Sequence, residues 1–144
     1  MNTQSTRLPR RIGAAGFTLI EMLAVIVLIG IVASIVVTQV GKRMNSGKYN
    51  AGKAQLQSLS MKIETFALDN GNPPQSLQDL VTAPGGAAMW NGPYAKESDL
   101  KDPFGHAFGY KSPGDHDTFD LIFYGKDGRA GGSDPLDKDV GNWE

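Results

Sequence analysis

Four aspartates near the C-terminus have the chemistry of a calcium site. They are Asp127, Asp134, Asp137 and Asp139, and they fall within 13 residues, among glycines that allow tight backbone turns. Calcium binds six to eight oxygens from carboxylates and backbone carbonyls in flexible loops. Because the EF-hand spacing is absent, the pattern leaves two interpretations open, an ion site and solvated acidic loops.

Glu21 is a further candidate because of its position, early in an apolar run from Phe17 to Val40. A lone carboxylate in a membrane-spanning segment costs a few kcal/mol unless it has a partner. Glu21 therefore needs a partner, which a plain membrane anchor would not provide.

Other functions find little support in the composition. The formal net charge of −1 gives no case for nucleic-acid binding, which normally requires a basic face. His106 and His116 lie in or beside turns and belong to no nucleophile or zinc motif, and the chain has no cysteine. We therefore expect neither an enzyme nor a nucleic-acid-binding protein.

The apolar run is long enough to cross a bilayer as a helix. Arg7, Arg10 and Arg11 precede it, so the positive-inside rule leaves that end in the cytoplasm and exports the rest. A secretory signal peptide would have a shorter apolar region with small residues after it. Here the small residues, which end at Gly16, come before the run.

A single helix is predicted from about Thr18 to Leu68, because no proline occurs between Pro9 and Pro73. Its first half is apolar all round, and its second half carries one apolar stripe for packing on a globular head. The stripe consists of Leu56, Leu59, Ile63, Phe66 and Ala67. Gly71 and the prolines after it end the helix.

The rest of the chain predicts a small α+β head. Ser76 and Asp79 have the spacing of a capping arrangement for a short second helix, and residues 84–105 have the composition of a loop. Residues 107–111 and 118–124 predict an antiparallel hairpin. The last 20 residues are too rich in Gly and Asp for a regular element, although Val140 and Trp143 could anchor them.

The sequence GFTLIE at residues 16–21, followed by the apolar run, resembles the class III signal of type IV pilins and type II secretion pseudopilins. DPFGHAFGY at 102–110, DGRAGGSD at 127–134 and DVGNW at 139–143 resemble stretches of the major pseudopilin family. Thr38 stands where many relatives carry a proline. Whether the helix breaks at this position, as a proline would cause it to, is therefore an open question.

This resemblance implies a pilin-like fold in three parts: a cleaved leader (1–16), a transmembrane and fibre-core helix half (17–40), and a periplasmic globular domain (41–144). A prepilin peptidase would cut between Gly16 and Phe17 and N-methylate Phe17. In the fibre, Glu21 would reach the Phe17 amine of a neighbouring subunit and so set the register of assembly.

The resemblance also implies a calcium-binding C-terminal loop. The implied ligands are the side chains of Asp127, Asp134 and Asp139, with the carbonyls of Tyr124 and Ser133. A calcium ion would supply the stabilising link that a small exported domain without cysteine otherwise lacks.

The implied function is structural. Copies of the chain would polymerise from the inner membrane into a periplasmic pseudopilus that drives protein export across the outer membrane. Its partners would be further copies of itself, minor pseudopilins, the prepilin peptidase and the inner-membrane assembly platform. Two alternatives are a type IV pilus subunit for adhesion or motility, and a membrane-anchored periplasmic calcium-dependent binding module.

Overall fold

The computed structural model describes residues 16–86 and 88–144. Apart from Gly16, the predicted leader lies outside these residues. The elements, in order, are the helix α1 (Leu19–Asn70), the short 3-10 helices η1 (Leu77–Leu80) and η2 (Glu97–Leu100), and the strands β1 (Gly109–Lys111), β2 (Asp120–Phe123) and β3 (Val140–Gly141). The chain forms two compact units, which meet in sequence between Gln39 and Val40.

Helix α1 confirms the single long helix predicted from the sequence. It ends at Asn70, where Gly71 takes a left-handed φ of 85° and donates its N–H to the Ala67 carbonyl at 2.7 Å. At Thr38 the helix continues, and the Thr38 hydroxyl donates to the Ile35 carbonyl at 2.8 Å. The first part of α1 is long and apolar enough to span a membrane, and none of that apolar window is buried within the chain.

The second part of α1 provides one side of the hydrophobic core of the globular unit. The buried α1 residues are Tyr49, Gly52, Leu56, Leu59, Ile63 and Phe66, so the predicted stripe is confirmed except for the half-buried Ala67. Phe123 of β2 is fully buried, and its ring lies 5.4 Å from that of Tyr49. A Cβ on Gly52 would collide with the Phe123 ring, so glycine permits this close approach of helix and sheet.

The connection between α1 and the sheet differs from the prediction in one place. The predicted second helix is present as the 3-10 helix η1, where the Ser76 N–H donates to Asp79 Oδ2 at 2.9 Å. The segment predicted as loop contains η2. Polar side chains of α1, rather than core residues, hold it in place. Lys62 Nζ donates to Asp99 Oδ2 at 2.6 Å, and Gln55 Nε2 donates to the Lys101 carbonyl at 2.6 Å.

The sheet has three antiparallel strands in the order β1-β2-β3. The predicted hairpin is confirmed, with Tyr110 opposite Leu121. The prediction of no regular element in the tail is wrong, because Val140 pairs with Phe123 and forms part of β3. Asn142 extends this pairing with its side chain: the Leu121 N–H donates to Asn142 Oδ1 at 2.7 Å, and Asn142 Nδ2 donates to the Phe119 carbonyl at 3.2 Å.

Candidate functional site

The N-terminus of α1 is closed by hydrogen bonds between Thr18 and Glu21. The backbone N–H of Thr18 donates to Glu21 Oε2 at 3.0 Å, and the Thr18 hydroxyl donates to the same oxygen at 3.1 Å. The backbone N–H of Glu21 donates to Thr18 Oγ1 at 3.2 Å. Thr-x-x-Glu is the pattern of a capping box. The sequence therefore contained a signal for this pair that our interpretation of Glu21 did not use.

Gly16 and Phe17 precede the helix and lie in exposed, irregular chain. The Phe17 side chain is 77% exposed. A peptide bond outside regular structure can enter the active site of a protease without unfolding of the helix. This geometry is compatible with the predicted cut between the two residues, and it places Glu21 at the start of α1.

In the predicted calcium loop, each of the three candidate carboxylates accepts a hydrogen bond from a different backbone N–H. Asp127 Oδ1 accepts from the Arg129 N–H at 3.2 Å, and Asp134 Oδ1 accepts from the Leu136 N–H at 2.9 Å. Asp139 Oδ2 accepts from the Gly131 N–H at 2.7 Å. Within residues 16–86 and 88–144, no group of three or more His, Cys, Asp or Glu side chains could hold a metal ion.

Two carboxylate oxygens in this loop are nevertheless buried without a hydrogen-bond partner, Oδ1 of Asp137 and Oδ1 of Asp139. An unsatisfied polar atom inside a protein is costly, especially when it carries charge. Asp139 was among the predicted ligands, but Asp137 was not. Asp137 and Asp139 therefore each bury one carboxylate oxygen, Oδ1, that has no donor.

The loop closes on the backbone of Asp137. A Cβ on either Gly125 or Gly132 would lie 2.7 Å from the Asp137 carbonyl carbon, so only glycine fits at these two positions. The Lys126 N–H donates to the Leu136 carbonyl at 2.8 Å and holds the two sides of the loop together.

The other two predicted ligands are the backbone carbonyls of Tyr124 and Ser133. The Tyr124 side chain lies against Gly109 of β1, and Tyr124 directly follows β2 at the start of the loop. Ser133 is exposed beside Gly132.

A further polar cluster joins the β1–β2 turn to the C-terminal tail. His116 Nδ1 lies 2.9 Å from Asp120 Oδ2, and the backbone N–H of Asp115 donates to the same oxygen at 2.9 Å. The His116 ring stacks on Trp143, with ring centroids 3.9 Å apart. Trp143, the predicted anchor of the tail, packs on this histidine and remains 37% exposed.

The hydrogen bonds of this cluster determine the ionisation of Asp120. Burial by itself would raise the pKa of Asp120, but the bonds from the His116 side chain and from the N–H groups of residues 115–117 outweigh it and hold the pKa at about 2. His116 therefore acts here as a structural partner of a buried carboxylate.

A long N-terminal helix with an exposed apolar first half, carrying a small α+β head, defines a membrane-anchored subunit of the pilin-like class. Two family models match this chain: "Type II secretion system (T2SS), protein G" over residues 39–143, and "Prokaryotic N-terminal methylation motif" over residues 12–37. The chain therefore belongs to the type II secretion system protein G family.

Individual relatives agree with this assignment. The type II secretion system core protein G of Xanthomonas campestris pv. campestris is 52% identical over 135 residues, which cover 94% of each chain. That of Pseudomonas aeruginosa is 39% identical and covers 90% of this chain and 95% of its own. The crystal structure of the major pseudopilin from the type 2 secretion system of enterohaemorrhagic Escherichia coli has the same fold, with a TM-score of 0.56 at 22% identity, over 71% of this chain and 91% of that chain.

These matches confirm the predicted pseudopilin fold and the predicted family. The chain is a pseudopilus subunit of type II secretion, with an N-terminal methylation motif on an apolar helix that is suited to membrane anchoring.

Proposed function

We propose that this chain is cut between Gly16 and Phe17, methylated on the new Phe17 amine, and polymerised into a periplasmic pseudopilus that drives proteins across the outer membrane. One observation carries the proposal: every residue of the described chain up to Val40 is exposed, although nearly all are apolar. Such a surface must be covered by lipid or by other chains. Cleavage after Gly16 leaves the apolar segment attached to the globular head. The same segment can therefore first span the membrane and then form the core of a fibre.

The proposed orientation and partners follow from the same segment. The arginines that precede it keep the N-terminus in the cytoplasm, where the prepilin peptidase and the assembly platform of the inner membrane act. The globular unit is then periplasmic, where it meets further copies and the minor pseudopilins. The two alternatives, a surface pilus subunit and a monomeric calcium-dependent module, receive less support because the secretion family matches through the whole head.

Glu21 is proposed to fix the register of assembly. In the single chain its carboxylate is bonded to Thr18. In the fibre it would bond the methylated Phe17 amine of a neighbour, because opposite charges in a low dielectric are tolerated only when they are paired. This pair can form at only one axial offset between neighbouring helices. The pair therefore favours that offset over the others.

Two measurements test processing and register. The intact mass of the protein purified from membranes should equal residues 17–144 plus one methyl group, and an uncleaved chain would refute the proposal. Glu21→Gln removes the charge at constant size and should abolish most fibre formation. Thr18→Ser retains the capping hydroxyl and should form fibres at the normal yield, whereas normal fibres from Glu21→Gln would rule out the register role.

The C-terminal loop is proposed to bind calcium. The orphaned Oδ1 atoms of Asp137 and Asp139 fit such an ion, because a buried oxygen without a donor is relieved by a cation. The loop offers carboxylate and carbonyl oxygens, which are the ligands of hard cations such as calcium. Asp127 and Asp134 would supply further carboxylate oxygens, and Tyr124 and Ser133 would supply carbonyls. The bound ion would join the two sides of the loop and stabilise the head.

Thermal unfolding of the full chain in detergent tests the ion. An ion that binds only the folded state raises the midpoint by mass action, so a calcium-selective chelator should lower it and added calcium should restore it. Excess magnesium is the matched control and should not restore it, because magnesium requires a tighter octahedral site. A midpoint unchanged by chelator would exclude a structural calcium.

A further inference from the structure

Two Asn-Gly dipeptides occur in the chain, Asn70-Gly71 and Asn91-Gly92. An asparagine that precedes glycine can lose its side-chain amide, because the next backbone nitrogen can reach the side-chain carbonyl carbon and glycine puts no Cβ in the way. The two dipeptides have the same chemistry but lie in different surroundings. The structure therefore determines which of them can react.

The Asn70-Gly71 dipeptide is held by the end of α1. Asn70 is the last residue of the helix, and its Nδ2 donates to the Phe66 carbonyl at 3.0 Å. The Gly71 N–H donates to the Ala67 carbonyl at 2.7 Å. Both bonds have to open before the Gly71 nitrogen can attack the Asn70 side chain, so the fold protects this asparagine.

The Asn91-Gly92 dipeptide lacks this protection. Asn91 is exposed, and neither residue belongs to a helix or a strand. The Asn91 backbone N–H donates to the Tyr94 hydroxyl at 3.0 Å. Among the residues that the structure describes, the Asn91 side chain and the Gly92 N–H have no hydrogen-bond partner. The reacting groups are therefore free to meet.

The packing of this loop requires the glycine. A Cβ on Gly92 would lie 2.6 Å from Cζ2 of Trp90 and 2.8 Å from Cδ2 of Tyr94, so the backbone fits between the two rings only without a side chain. The residue that the loop needs for packing is thus the residue that leaves Asn91 open to attack.

We propose that Asn91 is a site of spontaneous chemical modification, at which the folded chain converts the side-chain amide to an acid while Asn70 stays intact. The Gly92 nitrogen attacks Asn91 Cγ and forms a new N–C bond. The Cγ–Nδ2 bond breaks, and the amide group leaves as ammonia with the proton from the Gly92 N–H. The product of this step is a cyclic imide.

Water completes the reaction and is the only other reactant. It adds to one of the imide carbonyls and opens the ring. Aspartate forms if the bond from nitrogen to Cγ breaks, and isoaspartate forms if the bond to the main-chain carbonyl carbon breaks. One water enters and one ammonia leaves, so the reaction needs no oxidant, reductant or enzyme. Position 91 gains a negative charge in either case.

The new charge appears beside an existing carboxylate. Asn91 and Asp69 line the same hollow at the surface. The Tyr94 hydroxyl joins them, because it accepts the Asn91 N–H at 3.0 Å and donates to Asp69 Oδ2 at 2.8 Å. Like charges in one hollow repel each other. Conversion therefore weakens the attachment of this loop to the end of α1, and older subunits carry a looser loop.

Peptide mass spectrometry compares the two asparagines within one molecule. Both lie in the single tryptic peptide 63–96, because no Lys or Arg occurs between Lys62 and Lys96. The full chain is incubated folded in detergent at mildly alkaline pH, where the Gly92 N–H loses its proton more readily. Water enriched in heavy oxygen labels each acid that forms during the incubation, so acid that forms during digestion is not counted. Fragment ions assign the label to residue 70 or 91.

In the folded chain Asn91 should react about tenfold faster than Asn70, because two hydrogen bonds have to open at Asn70. In denaturant the two rates should agree to within a few fold, because both surroundings are lost. A ratio in the folded chain no larger than the ratio in denaturant would overturn the proposal. So would an Asn91 that stays intact in the folded chain but reacts in denaturant.

A pair of variants tests the effect of the new charge. Asn91→Asp supplies the charge directly, and Asn91→Gln is the matched control that keeps a neutral amide. The acidic variant should unfold at a lower temperature than the control at low salt. The difference should shrink at high salt, which screens exposed charges. Equal midpoints at low salt would refute the proposed loosening of the loop.

Discussion

The Thr18 hydroxyl lies 3.1 Å from Glu21 Oε2 while Thr18 Oγ1 accepts the Glu21 backbone N–H at 3.2 Å, so each residue satisfies a group of the other. The carboxylate that is proposed to pair with a neighbouring amine therefore has a partner within its own chain. An unpaired carboxylate in a membrane-spanning helix is costly. The capping box lowers that cost for a subunit that has not yet assembled.

Thr18→Val keeps the shape of the side chain and removes the hydroxyl. We expect the first turn of α1 to fray, because loss of an N-cap oxygen costs about 1 kcal/mol. Hydrogen exchange at residues 19–22 of the subunit in detergent measures this effect. Thr18→Ser, which keeps the oxygen, should exchange as the wild type does. Unchanged exchange in Thr18→Val would mean that the hydroxyl does not hold the turn.

Two glycines of α1 give opposite predictions when they are replaced by alanine. At Gly52 the new methyl would collide with the Phe123 ring, and overpacking of this kind costs about 1–3 kcal/mol. At Gly47 the methyl meets open space, and exchanging a helical glycine for alanine stabilises by about 0.5–1 kcal/mol. Denaturant unfolding of the two subunits measures both changes. A Gly52→Ala subunit as stable as Gly47→Ala would show that the helix can move away from β2.

The buried Asp120 makes the head sensitive to acid. Its pKa of about 2 lies below the ordinary 3.8, so the unfolded chain takes up the proton first. The stabilisation is complete above pH about 4 and is lost as the pH falls toward 2. Asp120→Asn should destabilise the head at neutral pH and flatten this dependence, as measured by unfolding at a series of pH values. Asp115→Asn, at an exposed ion pair with Lys111, should retain it.

The loop aspartates should differ in their response to calcium. Asp139 has a buried orphan oxygen and Asp127 is exposed, so Asp139→Asn should weaken calcium binding more than Asp127→Asn does. In excess chelator, removing a buried unpaired charge relieves a penalty. Asp139→Asn should then be at least as stable as the wild type. Unfolding midpoints with calcium and with chelator measure both. Identical behaviour of the two variants would argue against Asp139 as a ligand.

Much of the fold could be predicted because it depends on repeated spacing. Leu56, Leu59 and Ile63 recur at helical intervals, and the cluster of turn residues after Lys111 separates two strand-like runs. The β3 strand could not be predicted in this way. It has two residues, and the side chain of Asn142 extends its pairing with β2. A contact of this kind cannot be recognised from the spacing of hydrophobic residues.

The candidate sites were predicted to different degrees. The position of Glu21 within an apolar run predicted a functional role for it, and its Thr18 partner could have been recognised from the Thr-x-x-Glu spacing. Which of the four loop aspartates point inward could not be deduced from spacing alone. That depends on how the backbone folds at Gly125 and Gly132, where the chain passes against Asp137.

The Asn142 side chain also affects which backbone groups of the sheet are free to pair with another molecule. The edge strand β3 is only two residues long, and beyond its end the Asn142 amide occupies the Leu121 N–H and the Phe119 carbonyl. Free backbone groups on a sheet edge invite strands of other molecules and lead to aggregation. With these two groups occupied, the stretch of β2 that β3 leaves unpaired offers no free backbone group to a strand of another molecule.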